Sequence, residues 1–290
     1  MYAALLLAAA IWGFGFVATA KTLESLHPLW SNAARFAVAA PLGLLLFRHR
    51  IVLDRAHLTA AAAASVLLAA TFTFQTWGLA HTTVARSSLI TGLYAIFTPL
   101  VAPLFRAPAP RVLHVVGAVV AVAGLWLLSG GWDDAAQGFN LGDALTLGCA
   151  LVSAAHIHVV GKVAPGRDPF ALNALQLAFV ALWSVLGAAV SGVPLPDTVD
   201  ASALWALLFL AIFSSVVAFG IQMMAQQRVS PSTAATLFLL ETPFGVMFGA
   251  LLLAERLGWI QLAGGVLMLA GCVVSVRADV APGPAAAPAG

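Results

Sequence analysis

The chain has 290 residues, of which 62% are hydrophobic and only 8% are Asp, Glu, Lys or Arg, with a mean hydropathy of +1.00. A soluble domain is roughly 25% charged, so 13 basic and 11 acidic side chains are too few to clothe a globule of this size in solvated groups. That shortage argues against a soluble enzyme, a nucleic-acid binder and a disordered chain, and leaves an integral membrane protein.

A hydrocarbon core about 30 Å thick takes roughly 20 apolar residues per helix. Runs between charged or Pro/Gly breaks predict ten spans, at 2–20, 29–47, 58–80, 86–105, 112–129, 142–160, 170–191, 202–223, 232–253 and 259–277. Met1–Ala10 lacks a basic leader and further spans follow the first, so no removed signal peptide is expected. Cys149 and Cys272 fall inside apolar runs and read as small packing residues, not as a disulfide or a metal site. The tail Ala281–Gly290 has no periodicity and reads as a disordered end.

The basic residues sort by loop. With the N-terminus in the cytoplasm, the inner loops and tail hold Arg48, Arg50, Arg55, Arg106, Arg111, Lys162, Arg167, Arg228 and Arg277. The outer side holds Lys21, Arg86 and Arg256, and the acids Asp133, Asp134, Asp197 and Asp200; Arg35 lies within a span. By the positive-inside rule, both termini are expected in the cytoplasm.

The halves resemble each other. His27-Pro28-Leu29-Trp30-Ser31-Asn32-Ala33 aligns with Asp168-Pro169-Phe170-Ala171-Leu172-Asn173-Ala174 at an offset of 141, which also pairs Lys21 with Lys162 and Arg35 with Gln176. Gly117 and Gly124 match Gly264 and Gly271 at an offset of 147. We therefore expect a first five-helix repeat at 1–130, a connecting loop at 131–141, a second repeat at 142–277 and a disordered tail at 278–290. Five spans per repeat is an odd number, so the second copy would enter the membrane from the opposite side. Such inverted repeats carry transporter sites near the midplane between the halves. The fold class expected is an all-α polytopic membrane protein of ten helices.

The run Ile11-Trp12-Gly13-Phe14-Gly15-Phe16-Val17-Ala18 resembles the first helix of the EamA group in the drug/metabolite transporter superfamily. Thr82-Thr83-Val84-Ala85-Arg86-Ser87-Ser88-Leu89-Ile90-Thr91-Gly92-Leu93-Tyr94, continuing to Phe97-Thr98-Pro99-Leu100, is similar to the same group. So are Leu240-Glu241-Thr242-Pro243-Phe244, Ala254-Glu255-Arg256-Leu257 and Gly264-Gly265-Val266-Leu267. The chain departs from the pattern after span 4, where Arg106-Ala107-Pro108 stands in place of a frequent acid. The resemblance covers essentially the whole chain and implies a ten-helix metabolite transporter of the bacterial inner membrane, without supplying a substrate.

Ionisable groups within the hydrocarbon are costly and usually face a cavity or a partner. Glu241 stands about ten residues into span 9, hence about 15 Å deep at 1.5 Å per residue. On its helical face are Ala234, Phe238, Phe244, Gly245 and Phe248. An acid at that depth can carry a proton or attract a cationic group, or serve as half of a structural ion pair. Arg35 keeps its charge in proteins and must pair, snorkel or bind an anion; a pair with Glu241 would satisfy both. His156 and His158 are two residues apart and point to opposite sides of a helix. His156 shares a face with Ser153 and Cys149, and is the better candidate for lining a cavity or relaying protons.

Uncharged polar stripes add to these. Ser87, Thr91, Tyr94 and Thr98 follow one helical face of span 4, Thr71 and Gln75 one face of span 3, Ser215 and Gln222 one face of span 8, and Trp12, Gly15, Phe16 and Thr19 one face of span 1. The candidate substrate or coupling residues are thus Glu241, Arg35, His156, Gln75, Tyr94, Trp12, Gln222 and Thr91. Gly117, Gly124, Gly264 and Gly271 should permit close helix crossing, and Pro99 and Pro243 should kink their helices.

No phosphate-cradling loop and no metalloprotease or esterase motif occurs, so neither a cofactor nor enzymatic turnover is expected. The reading is a secondary transporter, in the export direction and coupled to protons, of a small polar or amphipathic metabolite such as an amino acid or amine. Its partners would be lipid, substrate and protons. A nucleotide-sugar or sugar-phosphate exchanger is the alternative; a passive channel and an intramembrane enzyme are remote ones.

Overall fold

A computed structural model of the chain describes residues 2–82, 84–107, 109–128, 139–244 and 258–280. Among the described residues every regular element is helical. The helices are α1 (Tyr2–Thr22), α2 (Pro28–Phe47), α3 (Arg55–Leu79), α4 (Val84–Thr91), α5 (Tyr94–Val101), α6 (Val112–Leu128), α7 (Leu141–Val163), α8 (Pro169–Val190), α9 (Ala201–Phe209), α10 (Phe219–Gln226), α11 (Pro231–Phe238) and α12 (Trp259–Val280). A π-helical stretch, Leu210–Ala218, joins α9 to α10.

Each predicted span meets a helix. Seven stretches are long and apolar enough to cross a membrane, while Val112–Leu127 and Leu262–Ala278 are shorter apolar helices. Span 4 is α4, α5 and a 3-10 turn, Ala102–Phe105. Span 9 is described as far as Phe244, so Gly245, Phe248, Glu255 and Arg256 lie outside the described residues, as do Asp133, Asp134 and 281–290. Residues 278–280, expected in the disordered tail, instead continue α12.

Local chemistry sets the helix starts. Proline, whose missing N–H costs nothing in the first turn, opens α2, α8 and α11 at Pro28, Pro169 and Pro231. The preceding residue caps each start: His27 Nδ1 accepts from the Leu29 amide, Asp168 from Phe170 and Ala171, and Ser230 from Thr233. Asn140 and Asp143 form a reciprocal capping box on α7.

The helix contacts can be set against the expected alignment of residues 1–130 with 142–277. α2 lies against α8, α6 against α12, α3 against α7 and α8, and α1 and α2 against the eighth span. Exchanging each span for the one five places on maps these pairs onto one another. The glycine seam between α6 and α12 shows the same correspondence at atomic detail. A methyl group built on Gly124 would sit 2.6 Å from the Gly264 carbonyl oxygen and collide with the Met268 amide. One built on Gly271 would sit 2.6 Å from the Gly117 carbonyl oxygen and collide with the Ala121 amide. All four contacts obey the 147-residue offset, and only glycine lets the two backbones approach so closely.

The two prolines do not mark the helix breaks. Span 4 opens at Gly92–Leu93, where Ala95 and Ile96 donate to carbonyls three residues back. Span 9 opens at Leu239–Leu240, with Leu240 and Thr242 bonded in the same tightened fashion. In the second case the cause is direct, since Pro243 crowds the carbonyl four residues earlier, that of Leu239. Both turns precede their proline, and they too lie 147 residues apart.

Candidate functional site

Where these broken helices meet α1, α2, α3, α7 and the eighth span, they line a partly open cavity of about 90 Å³. All eight candidate residues line it: Trp12 from α1, Arg35 from α2, Gln75 from α3, Thr91 and Tyr94 from either side of the span 4 break, His156 from α7, Gln222 from α10, and Glu241 just after the span 9 break. The rest of the α1 stripe, Gly15, Phe16 and Thr19, lines it too, with Thr71 and Ser153. Among the described residues, none of α6, α8 or α12 lines it.

Arg35 is 3% exposed and is held by the π-helical stretch. Its Nε donates to Ser215 Oγ and one terminal nitrogen to Ser214 Oγ, both at 2.9 Å. Its guanidinium lies 4.2 Å from the centroid of the Phe72 ring, an arrangement favoured by the ring quadrupole. The expected pair with Glu241 is not formed: among the described residues neither side chain makes an ion pair. Two serine hydroxyls and an aromatic face support the cation instead, which leaves its charge uncompensated beside the cavity.

The π stretch explains a further correction. Ser214, not Ser215, lines the cavity alongside Gln222. Bonding from residue i to i+5 widens the turn and shifts the register by one, so Ser215 rotates to grip Arg35 and donates its own proton to the Leu210 carbonyl, 2.9 Å away. Other donors satisfy nearby carbonyls: Trp12 Nε1 reaches Ser214 O at 3.2 Å, and Asn173 Nδ2 reaches Ser215 O and Val216 O at 3.1 Å each. Asn32, the counterpart of Asn173, donates to the Phe72 carbonyl at 3.0 Å.

Glu241 is 7% exposed and Tyr94 is 5% exposed. The Tyr94 hydroxyl donates to Glu241 Oε1 over 3.4 Å, a long bond that a ligand could replace. The walls between these polar points are aromatic. Trp12 contacts Phe219 and Phe238 with ring centroids 4.9 and 5.0 Å apart. An apolar enclosure with a few fixed polar groups is the usual form of a small-molecule site.

Not every predicted residue joins it. The helical stripe on span 4 is broken by the turn at Gly92–Leu93: Thr91 and Tyr94 line the cavity, whereas Ser87 and Thr98 do not. Thr98 Oγ1 donates to Tyr94 O instead. Of the Glu241 face, Phe238 lines the cavity, while Ala234 and Phe244 pack in the core beside it. His158 points away, as its spacing from His156 requires. Its Nε2 donates to Thr98 O at 2.7 Å and its ring stacks on Phe105, beside a separate cavity lined by Arg106, Arg111 and Lys162. Sequence reasoning missed Ser214, Phe72 and Phe219. It aligned Asn173 and Gln176 with Asn32 and Arg35 without assigning them a task.

A largely apolar cavity with a few fixed polar groups, set among membrane-length helices of which two are interrupted beside it, is the arrangement a membrane transport protein needs. The chain matches the EamA-like transporter family over residues 1–130 and 140–277 and belongs to that family. It is 30% identical to an uncharacterized transporter of Archaeoglobus fulgidus, over 94% of this chain and 85% of that one. It is 27% identical to the threonine/homoserine exporter RhtA of Salmonella typhimurium, over 57% of this chain and 54% of that one. An uncharacterized inner membrane transporter, YedA of Escherichia coli, is 25% identical over 92% and 87% of the two chains. A crystal structure 17% identical in sequence shares the fold, with a TM-score of 0.76 over 96% of this chain and 99% of that one.

Proposed function

We propose that this protein is a proton-coupled secondary exporter of a small zwitterionic metabolite, an amino acid being the best fit, in the bacterial inner membrane with both termini cytoplasmic. The observation that carries the reading is the presence of Arg35 and Glu241 on one cavity without a bond between them. A carboxylate and an ammonium group on one cargo would satisfy both, with Tyr94 releasing Glu241 as the cargo arrives. Trp12, Gln75, Thr91 and Gln222 would shape the space between. The name of RhtA, a threonine/homoserine exporter, supports the cargo class and direction, and that of YedA, an inner membrane transporter, supports the location. An exchanger of sugar phosphates or nucleotide sugars would require several cavity cations, and Arg35 is the one Lys or Arg among the described lining residues.

Alternating access would come from two inverted five-helix repeats, 1–130 and 142–277, rocking about the cavity. Three observations support this frame: the family matches in two tracts, the helix contacts exchange with the halves, and the glycine seam repeats atom for atom. The test is L-threonine transport by proteoliposomes under an imposed proton gradient. Wild type should accumulate threonine uphill, and Glu241→Gln should lose the response to the gradient. Transport by Glu241→Gln that matches wild type at every pH would remove Glu241 from the mechanism.

A further inference from the structure

His156 is fastened from behind by a chain of amides that runs in one direction. The chain starts at backbone. Asn173 Nδ2 lies 3.1 Å from both the Ser215 and Val216 carbonyl oxygens, and since those oxygens only accept, the nitrogen of the Asn173 amide must face them. Asn173 Oδ1 is therefore turned the other way, where Gln176 Nε2 stands at 3.5 Å. The opposite setting of Gln176 would bring two carbonyl oxygens together. With Gln176 Nε2 so placed, Gln176 Oε1 faces His156 Nε2 at 3.1 Å, and an amide oxygen can only accept. A neutral imidazole carries one proton, and the bond made by one ring nitrogen fixes the state of the other. His156 Nδ1 then bears a lone pair. Unlike His158 Nδ1, it is not among the buried atoms sealed away without a partner, and its ring lines the cavity.

We propose that Asn173 and Gln176 act as positioning residues that lock the proton of His156 on Nε2, so that Nδ1 is a fixed hydrogen-bond acceptor in the cavity and selects cargo bearing an N–H or O–H donor. The cation site shares this foundation. Ser215 supplies the carbonyl that orients Asn173 and the hydroxyl that holds Arg35, so the anion-binding and donor-binding ends of the cavity are both referenced to the π stretch. The selection of cargo rests on the transport reading above; the locked tautomer does not.

The test is 15N NMR of histidine-labelled protein in nanodiscs, with His156→Gln identifying the signal. Wild type should show a pyrrole-type Nε2 and a pyridine-type Nδ1. Asn173→Leu, which removes no direct partner of His156, should free Gln176 to turn and give a mixture of tautomers. The double variant Asn173→Leu/Gln176→Glu should restore the Nε2–H form, because a carboxylate can only accept. In threonine transport, Asn173→Leu should raise KM about tenfold with the maximal rate largely kept, and the double variant should recover most of that loss. A protonated Nδ1 in wild type, or an unchanged tautomer in Asn173→Leu, would overturn the proposal. Failure of wild type to transport threonine would instead strike the transport reading, while the tautomer measurement still decides this one.

Discussion

Spans 4 and 9 break at matching points, yet they carry different chemistry. The turns at Gly92–Leu93 and Leu239–Leu240 lie 147 residues apart, and the residues that follow them, Tyr94 and Glu241, touch each other in the cavity. Before the break one span has Thr91 and the other Phe238; after it one has a phenol and the other a carboxyl. α2 and α8 show the same contrast. Asn32 and Asn173 both donate to main-chain carbonyls of the next span, while one turn later stand Arg35 and Gln176. At these aligned positions the groups that bond the main chain are alike, and the groups beside them differ. The zwitterionic cargo proposed above would call for that difference, because equal walls would present the same charge twice.

The comparison breaks most visibly at the seam. Gly124→Leu and Gly271→Leu each drive a side chain into the backbone of the facing helix. Both should abolish the monodisperse peak in detergent size-exclusion chromatography, and to the same degree. If one were tolerated, the matched frame would fail at its tightest point. The cavity groups should behave oppositely, with folded proteins and unequal transport. Arg35→Leu and Glu241→Gln should each reduce proton-driven threonine transport by about 100-fold, on the order of 2.7 kcal/mol. Tyr94→Phe removes one long hydrogen bond, and such a bond is worth roughly 0.5–1.5 kcal/mol, so its loss should stay within about tenfold. Equal losses for Tyr94→Phe and Glu241→Gln would mean that the two residues act as a unit.

Much of the frame was legible because lipid imposes simple rules. Apolar run length located the spans, and the Asn-bearing turns and glycine pairs offered an alignment of residues 1–130 with 142–277 that the helix contacts are consistent with. The cavity set was legible for a related reason, since polar side chains deep in apolar runs have few places to go, and all eight candidates line one cavity. Their partners were not legible. Arg35 and Glu241, the two charges most deeply set in spans, invited a pairing that the fold refuses. What decided the matter was Ser214 and Ser215, whose sequence surroundings carry no sign of a π-helical stretch. The breaks in spans 4 and 9 were misplaced for a similar reason. Proline announces a disturbed ladder, but the turn settles where neighbouring side chains allow it.

The smaller effects sharpen the division between frame and cavity. Asn32→Leu and Asn173→Leu each remove buried side-chain hydrogen bonding to helix carbonyls, at a cost of about 0.5–1.5 kcal/mol per bond, and both should lower the detergent melting temperature by several degrees. Their stability losses should be equal if the asparagines do equal work for the frame. Their transport should differ, because Asn173 orients the side-chain amide that bonds His156, whereas Asn32 bonds the Phe72 main chain. The mildest change is Asn140→Ala at the start of α7. It removes the oxygen that accepts the Asp143 amide proton at 3.0 Å, while the Asn140 amide can still donate to Asp143 Oδ2 at 3.1 Å. Loss of such a cap costs about 1 kcal/mol, so a small drop in melting temperature is expected, with threonine KM and maximal rate unchanged. The cap touches neither broken span nor the amide chain behind His156, and a transport defect in this variant would show that the position of α7 as a whole sets the cavity, against the assignment of that task to Asn173 and Gln176.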